Sequence, residues 1–159
     1  MARDYGKAFE AQFKKDFMKI PLSTIDRIYD SVSGYKQIKN VCDFVCYRYP
    51  NIFYIECKSV SKGNTFALTR LTQYESLIKK KGVPGVRVGA VIWFIEKQKV
   101  FFVPISTFEK LLKHGKKSFN IKMEGDEYYL STLIPSKPKR TFMDSDYTVL
   151  LDMEDSNGQ

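Results

Sequence analysis

The sequence predicts a mixed α/β fold, with a mixed central sheet flanked by helices. Three observations point there. Tyr5, Phe9, Phe13 and Phe17 recur every four residues, as on the buried stripe of a helix. Four apolar segments of strand length follow, at Val41–Tyr47, Ile52–Ser59, Val88–Ile95 and Val100–Val103. Between and after them, Thr72 with Glu75 and Ser106 with Glu109 match the capping box that opens helices. Helices interleaved with strands require a layered sheet-and-helix core.

In chain order, the first helix is expected over Asp4 to Lys19, capped by Asp4 and closed before Pro21. Ile25 to Tyr29 reads as a short strand. The polar stretch DSVSGYKQIKN is expected to be a mobile or ligand-facing loop. Val41–Tyr47 and Ile52–Ser59 are separated by the turn YPN at 49–51 and predict a hairpin. Alternation then places Cys42, Phe44 and Cys46 on one face and Asp43 on the other. Glu56 and Lys58 share a face with Ile52 and Tyr54, and the intervening turn can bring Asp43 beside Glu56. A helix is expected from Thr69 or Thr72 to Lys81, with Leu71, Tyr74, Leu77 and Ile78 inward. The continuous apolar run Val88–Ile95 reads as a central strand. Val100–Val103 is the next strand, a helix covers about 107–113, and 119–133 is expected to form a small hairpin. From Pro135 the apolar pattern thins into the basic PSKPKR and an acidic end. The expected organisation is a domain over 1–134 and a partly flexible extension over 135–159.

With 159 residues, the chain suits one compact domain that needs no disulfide staple. Cys42, Cys46 and Cys57 are expected as reduced core thiols, and His114 as a surface or helix-end group. Twenty-six Lys and Arg against eighteen Asp and Glu give a formal charge of +8, which favours an acidic partner. No apolar run is long enough to span a bilayer, no long basic amphipathic helix suits a membrane surface, and the start lacks a signal-peptide pattern. A cytoplasmic protein without a membrane partner is therefore expected.

The chemistry concentrates in Glu10, Asp43, Glu56 and Lys58. Charges among the bulky residues of NIFYIECKS are costly unless paired or bound to a metal. Glu56 and Lys58 alone also suit a structural ion pair. Two converging carboxylates, however, favour a cation between them. Mg²⁺ takes oxygen ligands and keeps several waters, so Asp43, Glu56 and the backbone carbonyl of Cys57 can supply a site, with Glu10 completing it. Lys58 would orient water or stabilise phosphate charge, and a phosphodiester becomes a natural substrate. Arg27, Lys36, Lys39, Lys62 and Arg70 are the cations expected on a phosphate backbone. Each residue has a plainer structural reading. Glu10 lies four residues before Lys14 on a helix, Asp43 suits a turn cap, and any of these cations suits a solvated surface.

Asp43, Glu56 and Lys58 form D-x12-E-x-K, which resembles the PD-(D/E)XK nuclease signature, with Cys42 standing where that pattern has proline. The chain resembles RecU, the Holliday-junction resolvase of Gram-positive bacteria and their phages, from Gly6 and Glu10 to about Phe108. Thr65-Phe66-Ala67-Leu68 matches the segment after the E-x-K strand, Gln73 matches a glutamine at the next helix, and Val91–Phe102 matches the paired apolar strands. Only Tyr29–Lys39 stands where RecU carries a longer stalk. SVSGYK resembles the serine-glycine loop of archaeal junction resolvases, which implies Ser33 on a phosphate; a plain loop residue is the alternative.

The resemblance implies a PD-(D/E)XK, restriction-endonuclease-like core, and the short length relative to RecU points to a phage-encoded member, with a cellular one as the alternative. It implies a homodimer that cuts four-way DNA junctions with Mg²⁺, or with Mn²⁺ as a substitute, and leaves 5′-phosphate ends. In host or cell cytoplasm, branched DNA would be its partner. Gln73 would position water or the metal, against an ordinary first-turn role. The alternatives are a restriction or repair nuclease of the same superfamily acting on duplex or flap DNA, an inactive branched-DNA-binding protein, and a structural RNA-binding domain.

Overall fold

The computed structural model describes residues 4–33 and 36–152, without the side chains of 31–33 and 36–38. Tyr35, named above within the polar loop, and the acidic end from Met153 lie outside the described residues.

The chain opens with helix α1 (Tyr5–Phe17), whose Asp4 cap accepts a hydrogen bond from the Lys7 amide at 3.2 Å. Next come β1 (Ser23–Arg27), the hairpin β2 (Ser31–Ser33) and β3 (Lys36–Ile38), then β4 (Phe44–Arg48) and β5 (Asn51–Val60). After β6 (Thr65–Ala67), a 3₁₀ turn at Leu68–Arg70 leads to the short helix α2 (Tyr74–Ile78). Strands β7 (Val86–Phe94) and β8 (Lys99–Pro104) precede helix α3 (Ile105–Lys113). The chain then forms β9 (Ser118–Asn120), β10 (Thr132–Ile134), β11 (Ser136–Pro138) and β12 (Met143–Ser145), and a 3₁₀ segment at Tyr147–Asp152.

Six strands form the main sheet in the order β1-β4-β5-β7-β8-β10. β5 and β7 run parallel, and the other neighbours are antiparallel, so the sheet is mixed as expected. Each face carries its own core. On one side Phe9, Phe13 and Phe17 of α1 pack on Phe44, Cys46, Phe53, Ile55, Val91 and Trp93. On the other, Leu71, Leu77, Phe108 and Leu111 from the α2 and α3 layer cover Ala90, Ile92, Phe94 and Phe101. The side chains of β7 alternate between these two cores. Burial on both faces explains why its sequence is almost continuously apolar. Among the described residues, no helix is long and apolar enough to cross a membrane.

Several local expectations are corrected. The strand expected from Val41 begins at Phe44, and Cys42 joins the α2/α3 core instead of sharing a face with Phe44 and Cys46. Alternation holds only where the backbone is extended and paired, and Cys42 lies before the ladder. Thr72 does not cap α2: the helix starts after Gln73, and Leu68 and Leu71 are already buried in the preceding turns. Core burial there overrides the local capping signal. Ser106 lies within the first turn of α3, behind Pro104, while Glu109 pairs with Lys81 at 2.7 Å and Lys113 at 3.5 Å. The 119–133 hairpin is replaced by two longer-range pairings, β9 with β6 and β10 with β8. The polar stretch after Tyr29 contains the β2–β3 hairpin.

Beyond residue 134, β11 pairs with β12, and Met143, Tyr147 and Leu150 are buried in the α1-side core. Asp16 ties this segment to α1: its Oδ2 accepts from the Ser145 amide at 3.2 Å. Lys19 reaches both Asp16 at 3.1 Å and Asp144 at 2.6 Å.

Candidate active site

The β4–β5 hairpin sets the site. Phe44 lies opposite Ile55, so continuing the register by one pair places Asp43 opposite Glu56. The convergence expected from the sequence is present. Asp43 Oδ2 accepts from the Cys57 amide at 2.9 Å, which fixes the carboxylate across the mouth of the hairpin. Two residues along the same face, Lys58 Nζ stands 3.4 Å from Glu56 Oε1. Both β5 residues sit where the central strand nears its end, held by the parallel pairing of Glu56 with Ala90 and Lys58 with Ile92.

Glu10 comes from α1, on the helix turn beside the buried Phe9 and Phe13. It meets Arg27 rather than the other acids: Arg27 Nη2 lies 3.0 Å from Glu10 Oε2, and Nη1 lies 3.0 Å from Asp43 Oδ1. Arg27 thus stands between two acids, a placement the sequence did not signal. Its position at the end of an edge strand made a phosphate contact equally natural.

Electrostatics separate the acids. Burial, and then the neighbouring Asp43, push the Glu56 carboxyl up to about 8, against the pull of Lys58. Burial and Asp43 also raise Glu10, offset by Arg27 and Lys58. Glu56 is only 3% exposed at its side chain, and its Oε2 is buried without a hydrogen-bond partner. Such an orphaned oxygen is costly. A cation shared with Asp43 would satisfy it and relieve the crowding, so these two residues fit a divalent ion. Among the described residues, no three Asp, Glu, His or Cys side chains converge as a ligand set. Waters and backbone carbonyls would have to fill the remaining positions, as Mg²⁺ commonly allows.

The other expected site residues are more dispersed. Gln73 is half-buried at the start of α2, where its Oε1 accepts from Thr72 Oγ1 at 3.0 Å. It forms no hydrogen bond with the acids among the described residues. Lys62 and Arg70 are exposed and line an open groove of about 640 Å³ with Asp4, Tyr5, Gly6 and Ser59. Arg70 stacks on Phe66, 5.2 Å from its ring centroid. On the other flank of α1, Lys7, Lys14, Arg27 and Tyr29 line a second groove, of about 450 Å³, that contains Glu10. Lys39 is exposed near the β2–β3 hairpin; Ser33 and Lys36 belong to that hairpin, and their side chains lie outside the described set. The three cysteines are buried and free, and burial holds each thiol above its ordinary range, as expected of inert core groups.

No protein-family model matches the chain, and no curated protein matches it significantly. The fold is similar to that of Hjc, a Holliday junction resolvase from the archaeal hyperthermophile Archaeoglobus fulgidus. The TM-score is 0.52 at 19% sequence identity, over 73% of this chain and 87% of that chain. The likeness is one of fold: the mixed α/β architecture, a mixed central sheet flanked by helices, is shared with Hjc.

Proposed function

We propose that this chain is a structure-selective endodeoxyribonuclease of the RecU type that resolves four-way DNA junctions. The observation that carries the proposal is the hairpin register that sets Asp43 against Glu56, with Lys58 beside it, in a fold shared with a junction resolvase. Two buried acids facing each other, the orphaned Oε2 of Glu56 and a neighbouring amine suit phosphodiester hydrolysis better than a structural ion pair.

Asp43 and Glu56 would hold Mg²⁺, with Mn²⁺ able to replace it, and the Cys57 carbonyl would contribute a further oxygen. When bound, such an ion would supply Lewis acidity, polarising a phosphodiester oxygen and acidifying water. The chain's own groups do the rest. Lys58 donates to the non-bridging oxygens as negative charge grows on the phosphoryl group. Asp43 is held in place by the Cys57 amide, so it needs no reorganisation when substrate arrives. Gln73 would position water or the metal. Water attacks phosphorus, the bond to the 3′ oxygen breaks, and the products carry a 5′-phosphate and a 3′-hydroxyl.

The two grooves beside α1 provide cations for strands entering and leaving the centre, from Lys14 on one side to Lys62 and Arg70 on the other. Lys36, Lys39 and Ser33 would extend the contact along the β2–β3 hairpin. A four-way junction presents two symmetry-related strands, so a homodimer in the cytoplasm would present two matching centres.

The test compares matched four-way, flap, duplex and single-stranded DNA under the same Mg²⁺ concentration. Paired nicks confined to the junction support the reading. Equal cutting of plain duplex would assign the chain to a restriction or repair type instead. Tight junction binding without cutting, in Mg²⁺ or Mn²⁺, would make it a DNA-binding protein.

A further inference from the structure

Arg27 is held from several directions. Besides its contacts with Glu10 and Asp43 Oδ1, its Nη1 donates to the carbonyl oxygens of Ile28 at 2.8 Å and Asp43 at 2.9 Å. Its guanidinium carbon lies 5.3 Å from the Tyr29 ring centroid and 5.4 Å from that of Phe44. Backbone carbonyls fix one end of the fork, and aromatic rings fix its plane. A guanidinium does not lose its proton, so this is a permanent positive charge, 22% exposed, touching two acids.

The acids consequently fall into two sets that share Asp43. Glu10, Arg27 and Asp43 form one, with every contacting oxygen paired. Asp43, Glu56 and Lys58 form the other, which contains the orphaned Glu56 Oε2. Moving Glu10 onto a cation would break its 3.0 Å pair and strip a half-buried guanidinium of a partner. A second divalent ion would also have to sit against that fixed charge.

We infer that Arg27 is a positioning residue that withholds Glu10 from coordination and limits the centre to a single divalent ion, held by Asp43 and Glu56. This inference rests on the nuclease reading of those two acids. It concerns stoichiometry, which neither the resemblance nor the fold dictates. Arg27 therefore acts on the metal through Glu10 and Asp43, and truncating it should increase cation binding, which a merely structural role would not do.

The experiment counts Mn²⁺ bound to the purified full chain without DNA, from the free-ion paramagnetic resonance signal. The wild type is expected to bind one ion. Glu10→Gln should keep that stoichiometry with affinity changed less than about threefold, whereas Asp43→Asn should lose about tenfold or more. Arg27→Met, by releasing a carboxylate and removing a positive charge, should tighten binding about fivefold or admit a second ion. Should Arg27→Met fail to fold, the Glu10→Gln and Asp43→Asn pair still decides. Two ions in the wild type, one of them lost in Glu10→Gln, would overturn the inference and leave the nuclease centre standing. So would an Arg27→Met protein that binds as the wild type does, or a Glu10→Gln protein weakened as much as Asp43→Asn. No binding by the wild type, or wild-type binding by Asp43→Asn, would overturn the nuclease centre and the inference together.

Discussion

Glu56 carries its charge at a cost that pH should reveal. Its carboxyl is pushed up to about 8 in the folded chain, from an ordinary value near 4.5. Between those values the folded state binds more protons than the unfolded state, so stability falls as pH rises through the interval. In the absence of divalent ions, wild-type stability should drop relative to Glu56→Gln between about pH 5 and 8, by an amount on the order of a few kcal/mol. Denaturant titrations at each pH measure it; parallel curves for the two proteins would contradict the assigned burial. Lys58 has a separate test. On the proposed nuclease reading, Lys58→Met should lower junction cleavage by about a hundredfold or more while leaving junction affinity nearly unchanged, if it acts on transition-state charge. Equal losses in binding and cutting would instead make it a backbone contact. At this scale the sequence was informative for Asp43, Glu56 and Lys58, because a period of two on each strand and one short turn suffice to oppose them. It was uninformative for Arg27, whose direction depends on a carbonyl cage formed by Ile28 and Asp43.

The elements that build the site are constrained where they touch. Gly89 lies opposite Pro104 in the β7–β8 pairing. A Cβ there would run into the Val103 carbonyl and come within 2.8 Å of the Phe102 ring. Gly89→Ala should therefore cost about 1–3 kcal/mol of stability, read as a shifted denaturation midpoint with unchanged slope. At the other side of the sheet, Asp16 is buried and accepts from Gln12, Lys19 and the Ser145 amide. Asp16→Ala leaves that amide unpaired and should cost about 1–3 kcal/mol, whereas Lys19→Ala, at a half-exposed pair, should cost well under 1 kcal/mol, about the range of surface ion pairs. The sequence located α1, β5, β7 and β8 because each carries a sustained apolar period. It misplaced the start of α2 and the partners of β9 and β10. Those depend on which distant strand edge is free, and three-residue strands carry too few side chains to announce it.

For the molecule as a whole, the C-terminal segment is part of the α1-side core. Removing residues 135–159 would uncover the cavity filled by Met143, Tyr147 and Leu150. At about 1.5–3 kcal/mol per large buried apolar side chain, the loss approaches the net stability of an ordinary domain. The truncated chain is expected to lose cooperative thermal unfolding and near-ultraviolet circular dichroism; a sharp transition near that of the full chain would show the segment to be dispensable. The thinning apolar pattern after Pro135 concealed this, because three well-spaced side chains can close a core without producing a periodic signal. The mixed α/β class, by contrast, was legible from the alternation of element types alone.

The spacing of the two central acids also has an arithmetic cause. Tyr49 and Pro50 form the turn, and each rung of the β4–β5 ladder takes one residue from either side of it. While that two-residue turn is kept, lengthening or shortening the hairpin changes the interval between the facing acids by two. A relative with this layout would carry ten, twelve or fourteen residues between them. An interval of eleven or thirteen would require a differently sized turn or a bulge, and a sequence search that admits every interval equally discards this parity.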